Sequence, residues 1–294
     1  MSPLRAPLHV PVLPVEVLAT LGPQPGESWV DCTAGGGGHT RAIARLVGDT
    51  GRVIALDQDA AMLAMARTVE QYPNITWIEG NFDQLAAILQ EVGVSKVDGV
   101  LADLGFSSDQ LDDAARGLSF RQDGPLDMRL NPAATLTAAD IVNTWDEAEL
   151  ANAIYEYGEE RKSRWVAKKI VERRSVKRFE TTTDLANVVR SCVPRSGTMD
   201  SATRTFQALR IAVNDELGVL DRLLAVLPAV VAPGGRVGVI SFHSLEDRRV
   251  KWAFRNPDVW KILTKKPVEA SETELARNPR ARSAKLRVAQ RLPG

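Results

Sequence analysis

The stretch DCTAGGGGHT, residues 31–40, places four consecutive glycines, Gly35 to Gly38, directly after a short apolar run. Such a run ends a strand, turns tightly and opens a helix whose first N–H groups have no partner within it. Two glycines are enough for the turn. Four point to a ligand lying against bare backbone, and the surrounding chain must say which one.

Outward from this loop, "SWVDCT" (28–33), "RVIALD" (52–57), "ITWIEG" (75–80) and "VDGVLADLG" (97–105) are short runs rich in Val and Ile. Helical patterns lie between them, notably "AAMLAMARTVEQY" (60–72) and "DQLAAILQEVG" (83–93). Alternation of this kind predicts right-handed βαβ units and a parallel sheet covered on both faces. From Ser107 to about Asp200 the signals turn helical or irregular. A helical segment then runs from about Thr203 to Val231, "APGG" stops it, and "RVGVISF" (236–242) is a strand. Two further strand-like pieces follow, "WKILT" (260–264) and "AKLRVAQR" (284–291). The expected architecture is an α/β sheet domain, residues 1–106 and 201–294, interrupted by an inserted helical domain, 107–200.

Composition narrows the classes. Lys plus Arg equal Asp plus Glu, 37 each, so net charge says nothing about partners. No apolar run approaches the ~18 residues of a membrane span, and the first residues lack a signal-peptide core. Two cysteines, Cys32 and Cys192, make neither a metal cluster nor a disulfide framework. The expectation is a soluble, cytoplasmic chain with no metal site and no membrane partner.

Three ligands compete for the glycines. A nucleotide P-loop needs a lysine after them, and none follows. A G-x-G-x-x-G fingerprint fails as well, because its sixth position is Thr40 or Arg41. The third is S-adenosylmethionine, whose carrier sheets flank a glycine turn with acidic residues. Asp31 precedes the turn and Asp57 closes the second strand, where a carboxylate suits ribose hydroxyls. Asp59 reads as a helix N-cap. In "GNFDQL" (80–85), Asn81 and Phe82 end the third strand, and Phe82 is a stacking candidate for adenine.

Asp103 falls at the carboxyl end of the fourth strand, the edge where ligands bind in open α/β sheets. A carboxylate there can accept a hydrogen bond from an acceptor amine and raise its electron density. Methylation of a pyrimidine ring carbon would instead need a cysteine nucleophile, and none lies near this strand. Transfer to an exocyclic nitrogen is the expectation, with Asp103 as candidate catalytic residue.

"HVPVL" (9–13), "DCTAGGGGHT", "LADLGFSSDQLDDAARGLSF", "DGPLDMR" (123–129), "ATRTFQALRIAVNDEL" (202–217), "APGGRVGVISFHSLEDRRVK" (232–251) and "NPRARSAKLRVAQ" (278–290) occur in order. Together they resemble the bacterial 16S ribosomal RNA cytosine-N4 methyltransferase family (RsmH, or MraW), from about His9 to Arg291. The resemblance implies a class I S-adenosylmethionine-dependent methyltransferase sheet, Rossmann-like, with a helical substrate-recognition insert. It implies S-adenosylmethionine as donor and a decoding-region cytosine of 16S rRNA as acceptor, in the small ribosomal subunit; a homodimer is left open. Motif by motif it assigns Gly37, Gly38, His39, Asp57, Phe82, Asp103 and Gln110 to the cofactor, so Asp103 carries two roles. Phe106 and Asp109 stand where the family usually has valine and proline, and Ala34 where it has phenylalanine.

Other residues carry weaker signals. "SFHSLED" lacks a nucleophile elbow, and Ser244 with Asp247 reads as a helix-start cap. His243 is a lesser candidate for facing the acceptor base, and His9 has no role beyond its motif. On the helix from Thr203, Phe206, Leu209, Val213, Leu217 and Leu220 form an apolar stripe. Thr203, Gln207, Arg210 and Asn214 form a polar one that would line a cleft. Arg161, Lys162, Arg164, Lys168, Lys169, Arg173, Arg174, Lys177 and Arg178 face only Glu172, with Trp165 and Phe179 beside them. Arg277, Arg280, Arg282, Lys285, Arg287 and Arg291 crowd the far end. Both clusters suit RNA phosphates. A small-molecule methyltransferase would leave the basic insert idle, and a non-enzymatic RNA-binding or ribosome assembly protein would leave the cofactor constellation unexplained.

Overall fold

The computed structural model describes residues 11–69, 72–194 and 200–293. His9 lies outside them. The chain divides into two compact units, Met1–Ser107 with Leu217–Gly294, and Ser108–Glu216.

The first unit is built on a seven-stranded sheet of order β3-β2-β1-β4-β5-β7-β6. After α1 (Pro14–Leu21), β1 (Ser28–Asp31), α2 (Gly38–Val47), β2 (Arg52–Asp57), α3 (Ala60–Thr68), β3 (Ile75–Glu79), α4 (Leu85–Glu91) and β4 (Val97–Asp103) alternate. β1 to β4 pair in parallel, and β5 (Val231–Ser241) joins β4 in the same sense. β7 (Lys285–Arg291) runs antiparallel between β5 and β6 (Trp260–Ile262). Parallel strands with one reversed strand next to the edge are the class I methyltransferase arrangement expected above.

Side chains along each strand alternate between two buried layers, as a period of two requires. Val53 and Ala55 of β2 join Trp29, Ile43, Val47 and Val17 on one face. Ile54 and Leu56 join Val30, Leu85, Leu89, Leu223 and Leu227 on the other. Gly99 of β4 makes room for Trp29, because a Cβ there would sit 2.3 Å from the indole ring. The first layer therefore closes over a large aromatic only because its neighbouring strand lacks a side chain.

The second unit contains α5 (Ser108–Asp112), α6 (Ala138–Thr144), α7 (Glu147–Gly158), α8 (Ser163–Arg174), α9 (Thr182–Cys192) and α10 (Thr203–Asn214). Thr137 and Asp146 cap α6 and α7 through reciprocal side-chain to backbone bonds. α10 groups with this unit, so the second boundary falls at Glu216 rather than near residue 200.

The single helix expected from Thr203 to Val231 is two. Asp215, in the left-handed region (φ 48°), separates α10 from α11 (Glu216–Val230). The polar stripe of α10 is occupied inside its own unit. Gln207 donates to the Tyr157 carbonyl at 2.9 Å, and Arg210 grips Glu216 with two bonds of 2.7 and 2.9 Å. Asn214 donates to the Met128 carbonyl and accepts the Leu130 N–H. These side chains pin α10 to α7 and to the loop at 128–130 instead of lining a cleft.

β5 also starts earlier than expected. Its ladder opens at Val231 opposite Val97, breaks at a bulge that absorbs "APGG", and resumes at Arg236 opposite Gly99. On α12 (Ser244–Ala253), Asp247 does not cap. It forms a two-bond ion pair with Arg287 at 2.6 and 3.0 Å, while Glu246 accepts the N–H groups of Phe242 and His243.

Candidate active site

The carboxyl ends of β1, β2, β4 and β5 gather the chemistry of the first unit. Gly35 and Gly37 adopt φ of 49° and 78°, which lets the chain leave β1 and enter α2 within four residues. A Cβ on Gly37 would meet Arg41 at 2.5 Å and Trp77 at 2.8 Å. Arg41 in turn donates to the Gly36 carbonyl at 2.7 Å and fixes the loop from the helix side.

Two carboxylates hold this turn. Asp57 accepts the Gly35 N–H at 2.8 Å and the Asp59 N–H at 2.9 Å. Burial nevertheless outweighs those bonds and raises Asp57 from its ordinary 3.8 to about 6. Asp31, fully enclosed, accepts the Thr40 hydroxyl at 2.6 Å and the Thr33 N–H at 3.1 Å. Its pKa is also raised by burial. Asp59 caps α3 as expected, accepting from Ala61 and Met62.

Asp103 ends β4, and its N–H donates to Thr33 Oγ1 at 2.7 Å, fastening β4 to the segment after β1. Its Oδ2 lies 3.8 Å from His39 Nε2, and its buried Oδ1 has no hydrogen-bond partner among the described residues. Burial first, then the charges of Asp31 and Glu246, push Asp103 well above the usual carboxylate range. Glu246 is the member of this group that sequence reasoning missed. The glutamate two residues before the "RR" pair gave no sign that it would turn back toward β5.

The constellation thus unites Gly37, Gly38, His39, Asp57 and Asp103. Phe82, half-buried in a short 3₁₀ turn after β3, packs partly against the second core layer. Asn81 beside it donates to Gln58 at 3.1 Å. Gln110 lies on α5, in the other unit. His243 stands 3.3 Å from Glu246.

An edge carrying four acidic side chains in low dielectric repels a phosphate and attracts cations and hydroxyl or amine donors. That decides what the glycines are for: a cationic ligand fits and a nucleotide phosphate does not.

The description of the matching family agrees with this chemistry: residues 6–292 match the model of the MraW methylase family. The chain belongs to the MraW methylase family. Relatives named "Ribosomal RNA small subunit methyltransferase H" align over nearly their whole length. The protein from Sorangium cellulosum (strain So ce56) is 51% identical, over 99% of this chain and 93% of its own. Those from Nostoc punctiforme and Deinococcus radiodurans are each 50% identical, over 97% and 96% of this chain and 94% and 89% of theirs. As an MraW methylase the chain is a methyl-transferring enzyme, and no described helix is long and apolar enough to cross a membrane.

The basic clusters of this MraW methylase separate into bound and outward-facing charges. Arg174 donates to the Val142 carbonyl, and Arg173 donates to the Lys177 carbonyl over a buried Phe179. Arg287 serves Asp247, and Arg291 donates to backbone carbonyls including Leu292. Trp165 by contrast is exposed, with Lys169 4.7 Å and Lys168 5.9 Å from its ring.

Proposed function

We propose that this chain transfers a methyl group from S-adenosylmethionine to N4 of a cytosine in the decoding region of 16S ribosomal RNA, in the cytoplasm. The observation that carries the reading is the buried, unsatisfied carboxylate oxygen of Asp103 beside the glycine turn. A buried acceptor without a donor costs free energy unless a ligand supplies one.

The donor, when bound, supplies a methyl group activated on a positively charged sulfur. Gly37, Gly38 and His39 would hold its amino-acid end with the free N–H groups of the α2 start. Asp57 would accept from the ribose hydroxyls with the lone pairs left after Gly35 and Asp59. Phe82 would lie against the adenine, and Gln110 enters through the family motif alone. A positively charged ligand favours ionised Asp103, offsetting burial and the repulsion of Asp31 and Glu246. In that state Asp103 accepts a hydrogen bond from the acceptor amine and orients its lone pair toward the methyl carbon. No covalent enzyme intermediate is needed, which agrees with Cys32 being buried and its thiol pushed well up by burial.

An RNA base must leave its stack to present an amine to such a buried carboxylate. Labelled donor incubated with naked 16S rRNA, with small ribosomal subunits and without acceptor tests the reading. Label must appear in cytosine of RNA from one of the first two. Label in neither, with turnover on a small amine, would replace the reaction proposed here.

A further inference from the structure

A groove of about 480 Å³ opens in the sheet unit between α11 and α12, away from the glycine turn. Its walls are Leu224, Pro228, Val259 and Trp260, and the indole of Trp252 stands at its lip. Ser244 begins α12 at the carboxyl edge of the sheet, so Trp252, eight residues on, lies about 12 Å down the helix. The groove is therefore separate from the site built around Asp103.

Trp252 is 62% exposed, unusual for the largest apolar side chain. The Arg255 guanidinium lies 4.8 Å from its ring centroid, a cation–π contact that holds the indole in place. Charge around the groove is one-sided. Between residues 248 and 262 five basic side chains, Arg248, Arg249, Lys251, Arg255 and Lys261, face one acid, Asp258. Asp221 on the opposite lip is engaged by Arg249 at 3.2 Å.

An apolar peptide would fill the walls but leave the cations at the rim unmatched. An unpaired nucleotide matches both, since every base offers a π-face and every linkage a phosphate. Given the RNA acceptor proposed above, we infer that this groove seats an unpaired base flanking the modified one. Trp252 is its stacking surface, and Arg248 and Arg255 meet the adjoining phosphates. The groove adds a second anchor, on the rigid sheet unit, about two helical turns from the reacting base.

The test measures binding of a single-stranded 16S-derived oligonucleotide containing the acceptor cytosine, by fluorescence anisotropy without donor. Trp252→Ala should weaken binding by about 5- to 150-fold, the range for losing one stacked base, and Trp252→Phe should restore most of it. Arg255→Gln should weaken binding and make its salt dependence shallower. Affinity for S-adenosylmethionine and the unfolding temperature should stay at wild-type values, because Trp252 is an exposed helix residue. Wild-type RNA affinity in Trp252→Ala overturns the inference. So does a loss seen only with assembled subunits, which would assign the groove to a protein partner. Methyl transfer is assayed separately, so a failure of the proposed reaction is seen there while the groove stands or falls on binding.

Discussion

The imidazole of His39 and the carboxylate of Asp103 face each other at 3.8 Å, one from the first turn of α2 and one from the end of β4. This pairing ties the glycine turn to the group proposed to orient the acceptor. Asp103→Asn keeps the shape and removes the charge. Methyl transfer in a single turnover at saturating donor should fall by about 10²-fold or more, with a smaller loss in donor affinity. A rate near wild type would leave Asp103 as a cofactor contact at most.

Asp57 makes donor binding depend on pH. Its native pKa of about 6 lies above its ordinary 3.8, so between those values the folded protein holds a proton the unfolded chain lacks. The stability it contributes therefore falls as pH rises through that window. Donor affinity should move the opposite way, since ribose hydroxyls need the ionised carboxylate. Calorimetric titration should show affinity level above pH 7 and declining below about pH 6. Asp57→Asn should flatten that profile and cost about 1.5–3 kcal/mol at pH 7.5.

The cations of α8 divide into two kinds, and salt dependence should separate them. Replacing Lys168 and Lys169 by glutamine removes charges beside exposed Trp165. Each that meets a single-strand phosphate should make the slope of log affinity against log salt shallower by about 0.7. Arg174→Gln should leave that slope unchanged and lower stability by about 1 kcal/mol, because it loses its bond to the Val142 carbonyl. Equal slopes for all variants would return the lysines to an ordinary solvated face.

Gly37 is a position where an added methyl cannot be absorbed. Gly37→Ala imposes a side chain at φ 78° and drives its Cβ toward Arg41 and Trp77. Thermal unfolding should report a loss of about 1–2 kcal/mol from the backbone strain alone. Donor affinity should fall as well. Full stability with intact binding would show that the turn rearranges freely.

Strand ends were legible because a strand buried on both faces reads as an uninterrupted apolar run, and the run stops where the acid begins. Asp57 and Asp103 each close such a run, so the sheet edge and its carboxylates could be placed in advance. Glu246 and Asp247 could not be told apart. They are neighbours in sequence, yet one turns back to the β5 backbone and the other reaches Arg287, forty residues on. Nor does the segment around Asp215 carry a glycine or proline to announce that the helix breaks there; the break accompanies contacts of Asn214 with Met128 and Leu130. Local pattern reports on periodicity and caps. It is silent on partners brought in from elsewhere in the chain.

The placement of β7 between β5 and β6 has a consequence for the order in which this protein is made. Six residues of β5 pair with β7, and β6 finds its ladder partner only there. During synthesis on the ribosome, β5 emerges with one open edge and keeps it until residues 285–291 follow. Until then the donor site is backed by an unfinished sheet, whereas all residues of the helical unit have already been synthesised. A nascent chain halted before Lys285 should consequently bind donor poorly and be prone to edge-to-edge aggregation. Catalytic competence in this topology arrives with one of its last strands.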